Sequence, residues 1–188
     1  MEGPLTLPLR EIPHGASTYA VELAAADLDL LVADAEFVAP VALELEVIRV
    51  DEQVQFRGRA RVVTRQCCVR CLEPVERTLD VPVEVVARRR GVRDKDQEPA
   101  EGLVLHDGEE ISLADEVREL ILLSIPHAPL CRSDCAGLCP QCGANLAGGP
   151  CGCERAGQSD PRWAGLGGLG GKPGSAPVPK GKPSPRGS

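Results

Sequence analysis

The amino-acid sequence predicts an α+β fold: an antiparallel β-sheet, partly barrel-like, with one packed helix, followed by a small cysteine ribbon and a disordered tail. Three observations lead there. Between residues 41 and 89 apolar and charged side chains alternate; around residue 120 the apolar residues recur at helical spacing; and residues 131–188 hold six of the nine cysteines and end in Gly and Pro.

Val41 to Val50 reads apolar-charged-apolar, as a half-buried strand requires, and Asp51-Glu52 supplies a turn. Val54 to Thr64 alternates again with Arg57, Arg59 and Arg61 on one face, and reads as the returning strand of a hairpin. These arginines suit a phosphate backbone, although a solvated strand face is the commoner explanation. A third strand, Arg77 to Arg89, follows the turn Cys68-Val69-Arg70-Cys71, and Leu5 to Arg10 and Thr18 to Leu23 are further strand candidates. Residues 91–110 read as a mobile acidic connection ending in the short strand Leu103-Val104-Leu105. Ser112 stands where an N-cap belongs, with Asp115 and Glu116 in the first turn. Leu113, Val117, Leu120, Ile121 and Ser124 fall at helical spacing; Leu122, Leu123 and Ile125 widen the stripe, so the helix is expected to be buried on most sides until Pro126 stops it.

The 188 residues accommodate one main domain and an appendage. The expected organisation is a body over 1–130, a ribbon over 131–164 and a disordered tail over 165–188, where 8 Gly and 5 Pro among 24 residues leave nothing to build a core. Two matches in the tail are decoys. Gly165 to Gly170 has dinucleotide-loop spacing without a preceding strand, and Gly171-Lys172 fails as a phosphate loop because Pro173 replaces Ser or Thr.

Aromatic residues make up 2% of the chain, which disfavours an RNA-binding sheet built on base stacking. The N-terminus lacks a secretory pattern, and no run approaches the roughly 20 apolar residues of a membrane span, so a cytoplasmic protein is expected. Residues 1–130 carry 14 Lys+Arg against 25 Asp+Glu, a net −11; residues 131–188 carry 7 against 3, a net +4. The acidic body suits a basic protein partner, and the basic C-terminal end suits nucleic acid. His14, His106 and His127 read as surface or spacer residues, and no nucleophile or paired-carboxylate context is visible.

The cysteines carry the chemistry. In a reducing compartment their pairing points to metal. Cys139-Pro140-Gln141-Cys142-Gly143 has zinc-knuckle spacing, and Cys151-Gly152-Cys153 completes four thiolates after a short turn-rich spacer. An iron-sulfur cluster or a redox pair is the rival. Cys68 with Cys71 and Cys131 with Cys135 form a second zinc site if they converge, clamping the ribbon to the body. Otherwise one site exchanges ligands, or the body pair stays as thiols. Cys67 reads as a strand-end filler, since adjacent residues on a strand face opposite ways.

Cys68 to Pro74 after a strand, a helix ending in Ile125-Pro126, Cys131 to Cys153 and Asp160-Pro161-Arg162-Trp163 together resemble the YceD family of bacteria and plastids over roughly residues 1–166. Cys135 to Leu146 is the most specific stretch, whereas Ala147-Gly148-Gly149 and the long tail depart from the family pattern. The resemblance implies a role in accumulation of large-subunit rRNA; joined to the cysteine spacing and the lack of a catalytic set, it leads to the expectation of a non-enzymatic ribosome-biogenesis factor, holding structural zinc, that supports synthesis, processing or stability of 23S rRNA. Its expected partners are large-subunit rRNA or a pre-ribosome, directly or indirectly, and a basic ribosomal protein, with no membrane and no small-molecule substrate. Trp163 could stack on a base or cover the ribbon. A thiol-disulfide oxidoreductase and a zinc-stabilised transcription adaptor are the alternatives.

Overall fold

The alternating stretches become the strands of one sheet. A computed structural model describes residues 3–91, 102–153 and 162. The chain divides into two compact units, Met1–Cys151 and Gly152–Ser188. Of the second, only Gly152, Cys153 and Arg162 are described, so the architecture below is that of the first.

Its strands are β1 (Thr6–Pro8), β2 (Gly15–Leu23), β3 (Glu36–Phe37), β4 (Val41–Val50), β5 (Gln53–Cys67), β6 (Pro74–Arg89), β7 (Leu103–His106) and β8 (Glu110–Ser112), followed by the helix α1 (Ala114–Ser124). The main sheet runs in the order β2-β4-β5-β6-β7, with β3 pairing β5 beyond the end of β4. Asp51, at φ 54°, and Glu52 close the β4–β5 hairpin in register Val50↔Gln53. Along one face Val41, Leu43, Leu45 and Val47 of β4, Val54, Phe56, Ala60 and Val62 of β5, and Val81, Val83, Val85 and Ala87 of β6 are buried. Helix α1 covers this face with Val117 and Ile121, four residues apart, and its N-cap Leu113 joins the same core. At Gly58 β5 comes so near β4 that a Cβ would sit 1.9 Å from the Glu44 carbonyl oxygen, so only glycine fits.

The opposite face is a charge ladder. Arg57 lies between Glu46 and Glu84, and Arg59 faces Glu44. Arg61 pairs with Asp80 at 3.2 Å. Carboxylates thus meet these arginines across the strands, as on a solvated face; an exposed pair of this kind contributes about 0–1 kcal/mol.

Several expectations are corrected. The sheet is open, with no closed barrel, and β7 runs parallel to β6 in an otherwise antiparallel arrangement. Alternation records which face of a strand is buried and says nothing about the direction of its neighbour. The Leu5 to Arg10 candidate shrinks to β1, which pairs with β8 outside the main sheet. That pairing places Ser112 in a strand opposite Thr6, so the N-cap is Leu113, whose N–H donates to Leu5 O at 3.1 Å. Leu123 is 69% exposed, so α1 is buried along one stripe and not on most sides. His106 is buried, with Nε2 2.8 Å from Glu52 O, where a surface residue was expected. The acidic connection at 92–101, the two glycine-rich decoys, Trp163 and the tail lie outside the described residues. Among the described residues no helix is long and apolar enough to cross a membrane.

Candidate metal centre

Strands β5 and β6 are the longest in the sheet, and their hairpin ends in the Cys68-Val69-Arg70-Cys71 knuckle, closed in register Cys67↔Pro74. Inside it the Leu72 N–H donates to Cys68 O (2.9 Å), and the Cys68 N–H donates to Glu73 O (2.8 Å). Leu72 adopts φ 63°, a left-handed conformation that costs a branched side chain roughly 1–2 kcal/mol.

The segment after α1 grips this tip. Val69 N–H donates to Pro129 O (2.9 Å), Arg77 donates to Leu130 O (2.6 Å), Arg70 to Cys135 O (2.9 Å), and Leu138 N–H to Arg70 O (3.1 Å). Gly137, at φ 76°, lets the chain pass; a Cβ there would lie 3.1 Å from Arg70 O. Nothing in the residue pattern pointed to Arg70, Arg77 or Gly137 as the parts that join the two segments.

This grip brings four sulfurs together. Cys68 and Cys135 Sγ are 3.8 Å apart, Cys71 and Cys131 Sγ 3.6 Å, and all four lie within 4.8 Å of one another. A regular tetrahedron with Zn–S bonds of about 2.3 Å has sulfurs about 3.8 Å apart. A disulfide would bring two of them to about 2.05 Å. Cys68, Cys71 and Cys135 are buried with Val75 and Leu130 packed around them, and Cys131 is exposed. The donor set therefore fits a tetrahedral thiophilic ion.

The electrostatics point the same way. Burial pushes the Cys68 thiol up, but the backbone N–H groups of Cys71, Cys131 and Arg70 outweigh it and bring it down to about 6. Cys131, hydrogen-bonded to the Cys135 sulfur and partly desolvated, is pushed up to about 12. Cys71 is also raised: the Glu73 backbone favours its anion, but burial and the Cys68 sulfur oppose that and prevail. One thiolate forms easily here and its neighbours resist joining it, because like charges at this spacing repel without a cation between them.

A second group follows. Cys139-Pro140-Gln141-Cys142 repeats the knuckle: Gly143 N–H donates to Cys139 O (2.9 Å), and Cys139 N–H donates to Ala144 O (2.8 Å). Gly143 takes φ 72°, where Leu72 stands in the first knuckle. Asn145 accepts from Ala147 N (2.9 Å) and donates to Glu73 (3.2 Å). The sulfurs of Cys139, Cys142 and Cys151 lie within 4.8 Å of one another and could also hold a metal ion. Cys139 is drawn down to about 6, chiefly by the backbone N–H groups of Cys142 and Gln141. Cys153, the fourth member expected from the spacing, lies in the second unit. Cys67 ends β5 with its side chain exposed, apart from the buried sulfurs.

No solved structure matches the chain. A protein of Mycobacterium tuberculosis described as uncharacterised is 36% identical over 160 residues, covering 84% of this chain and 71% of its own length. One from Mycobacterium leprae, also described as uncharacterised, is 35% identical over 146 residues, or 77% and 64% of the two chains. A chloroplastic protein of Arabidopsis thaliana, "Large ribosomal RNA subunit accumulation protein YCED homolog 1", is 26% identical over 156 residues, 69% of this chain and 48% of its own. The family described as "Large ribosomal RNA subunit accumulation protein YceD" matches residues 56–170, from within β5 to past the last paired cysteine, and the chain therefore belongs to the YceD family.

Proposed function

We propose that this chain is a non-enzymatic ribosome-biogenesis factor that supports synthesis, processing or stability of 23S rRNA in the cytoplasm, and that zinc holds it together. The family description carries the process. The four-sulfur convergence carries the structural role of the metal. Zinc, when bound, supplies a redox-silent cross-link. Cys68, Cys71, Cys131 and Cys135 would hold one ion, clamping the ribbon to the body, and Cys139, Cys142, Cys151 and Cys153 a second.

A thiol-disulfide oxidoreductase would exploit the low Cys68 thiol. That sulfur is fully buried, however, so no substrate disulfide reaches it, and hydrogen bonds that favour a thiolate serve a ligand equally well. The acidic residues 1–130 suit a basic ribosomal protein. The basic C-terminal end, with Lys172, Lys180, Lys182 and Arg186, suits rRNA or a pre-ribosome.

The test is depletion of the protein in its own host, followed by the ratio of 23S to 16S rRNA. A fall restored by the intact chain is expected, and an unchanged ratio refutes the proposal. Truncation after Gly165 should weaken RNA binding and flatten its salt dependence, with a slope change of up to about 0.7 per cation removed on single strands.

A further inference from the structure

The geometry points to the cleft between the first knuckle and the segment after α1 as a docking site for a basic polypeptide segment with an apolar anchor. This deepens the assembly-factor reading and rests on it. The cleft encloses about 800 Å³ and is walled by Val32, Val69, Leu72, Ile125, Pro126 and Pro129.

Leu72 is the telling residue. Its place in the knuckle requires a left-handed backbone, and the matching place in the second knuckle is glycine. A leucine there would be understandable if its side chain were buried. Instead it is 63% exposed, and Val69 beside it is 52% exposed. A strained backbone carrying an uncovered apolar side chain is explained by a surface that another molecule covers.

Charge selects the occupant. Asp34 and Glu36 line the cleft together with Arg65, its one arginine; Arg65 pairs with Glu36 at 3.1 Å and with the neighbouring Glu76 at 2.7 Å, and Asp34 makes no ion pair among the described residues. The cleft lining thus holds two carboxylates against one guanidinium, on a chain whose residues 1–130 carry a net −11. Such a rim repels phosphates and attracts Lys and Arg. The Val69 N–H is already bonded to Pro129 O, and prolines have no N–H to offer, so side chains and not strand addition must provide recognition.

Fluorescence anisotropy on the full-length, zinc-loaded protein tests this. The probe is a synthetic 12-residue peptide with two leucines flanked by lysines and arginines. Controls have the leucines replaced by serine or the cations by glutamate, and a 12-nucleotide RNA is run in parallel. The wild type should bind the leucine-cation peptide at least tenfold more tightly than either control. Leu72→Gly should weaken that binding at least tenfold while zinc content and circular dichroism stay unchanged, and Asp34→Lys should weaken it about threefold. If Leu72→Gly loses zinc, Val69→Ser takes its place as the test. Equal binding of all peptides, binding insensitive to these changes, or an RNA that binds in a Leu72-dependent way overturns the proposal. If peptide binding fails but depletion still lowers 23S rRNA, only the docking site falls; if depletion leaves 23S rRNA unchanged, the assembly reading falls whatever the peptide does.

Discussion

The two cysteine knuckles have the same internal hydrogen bonds, yet Cys68 meets a sulfur 67 residues away, while Cys139, Cys142 and Cys151 come from one short stretch. The first knuckle ends the longest hairpin of the sheet and is buried against the segment that follows α1. The second is built from one local stretch, with Cys139 buried and Cys142 at the surface. An ion in the first would join two parts of the fold, whereas an ion in the second would order one local segment. The difference teaches that a shared motif can carry very different shares of stability, because a cross-link removes more disorder from the unfolded chain the longer the loop it closes.

The largest expected effect breaks the first knuckle. Cys68→Ser/Cys71→Ser should lose one zinc per chain by elemental analysis and lower the melting temperature by about 10 °C or more, given that structural zinc supplies about 10–16 kcal/mol of apparent binding energy. Cys139→Ser/Cys142→Ser should also lose one zinc but shift the sheet's melting by less than about 4 °C. Equal losses from the two variants would erase the distinction.

Proton release sharpens it. Ligating sulfurs must be thiolates, and at about pH 7.5 Cys68 is already one, whereas Cys71 and Cys131 are held protonated. Metal uptake at the first site should release at least those two protons, read with an indicator dye. In the metal-free chain the lowered Cys68 and Cys139 add stability that is full above about pH 9 and is lost as pH falls toward about 6. The raised Cys131 acts oppositely, its contribution being full below about pH 9 and lost toward about 12. A urea midpoint that fails to fall between pH 9 and 6 would contradict this assignment.

The smallest effect compares the two left-handed positions. Gly143→Leu should cost the second knuckle roughly 1–2 kcal/mol, seen as faster hydrogen exchange over residues 138–146. Leu72→Gly should relieve a similar strain but loosen the unfolded chain, leaving melting unchanged or raised by up to about 4 °C. A clear loss of stability would mean that Leu72 is kept for packing within the fold.

Much of this was legible in the sequence because alternation and cysteine spacing are local. The bounds of β4 are those the pattern drew, and β6 begins at Pro74, three residues ahead of the pattern. The pairs Cys68/Cys71 and Cys131/Cys135 stood out by spacing, but their meeting depends on Arg70, Arg77 and Gly137, whose contacts exist only once α1 has returned the chain to the sheet. The parallel course of β7 and the capture of Ser112 by β1 are likewise pairings between distant segments, which no local pattern encodes. Leu72 reads in sequence as an ordinary spacer, and its strain is visible only as a backbone angle.

The separation of 60 to 67 residues between the partners of the first sulfur cluster also sets a timetable for synthesis. The β4–β5–β6 meander can form as soon as it emerges from the ribosome, presenting the Cys68–Cys71 tip with half a ligand set. Its completion waits for Cys131 and Cys135, which follow the end of β6 at Arg89 by roughly 2 to 9 seconds at about 5–20 residues per second. During that interval the nascent chain displays a pair of thiols able to capture an ion loosely or to be oxidised. The supply of metal and reductant at the moment of translation, more than the stability of the finished sheet, then governs how much of the protein matures correctly.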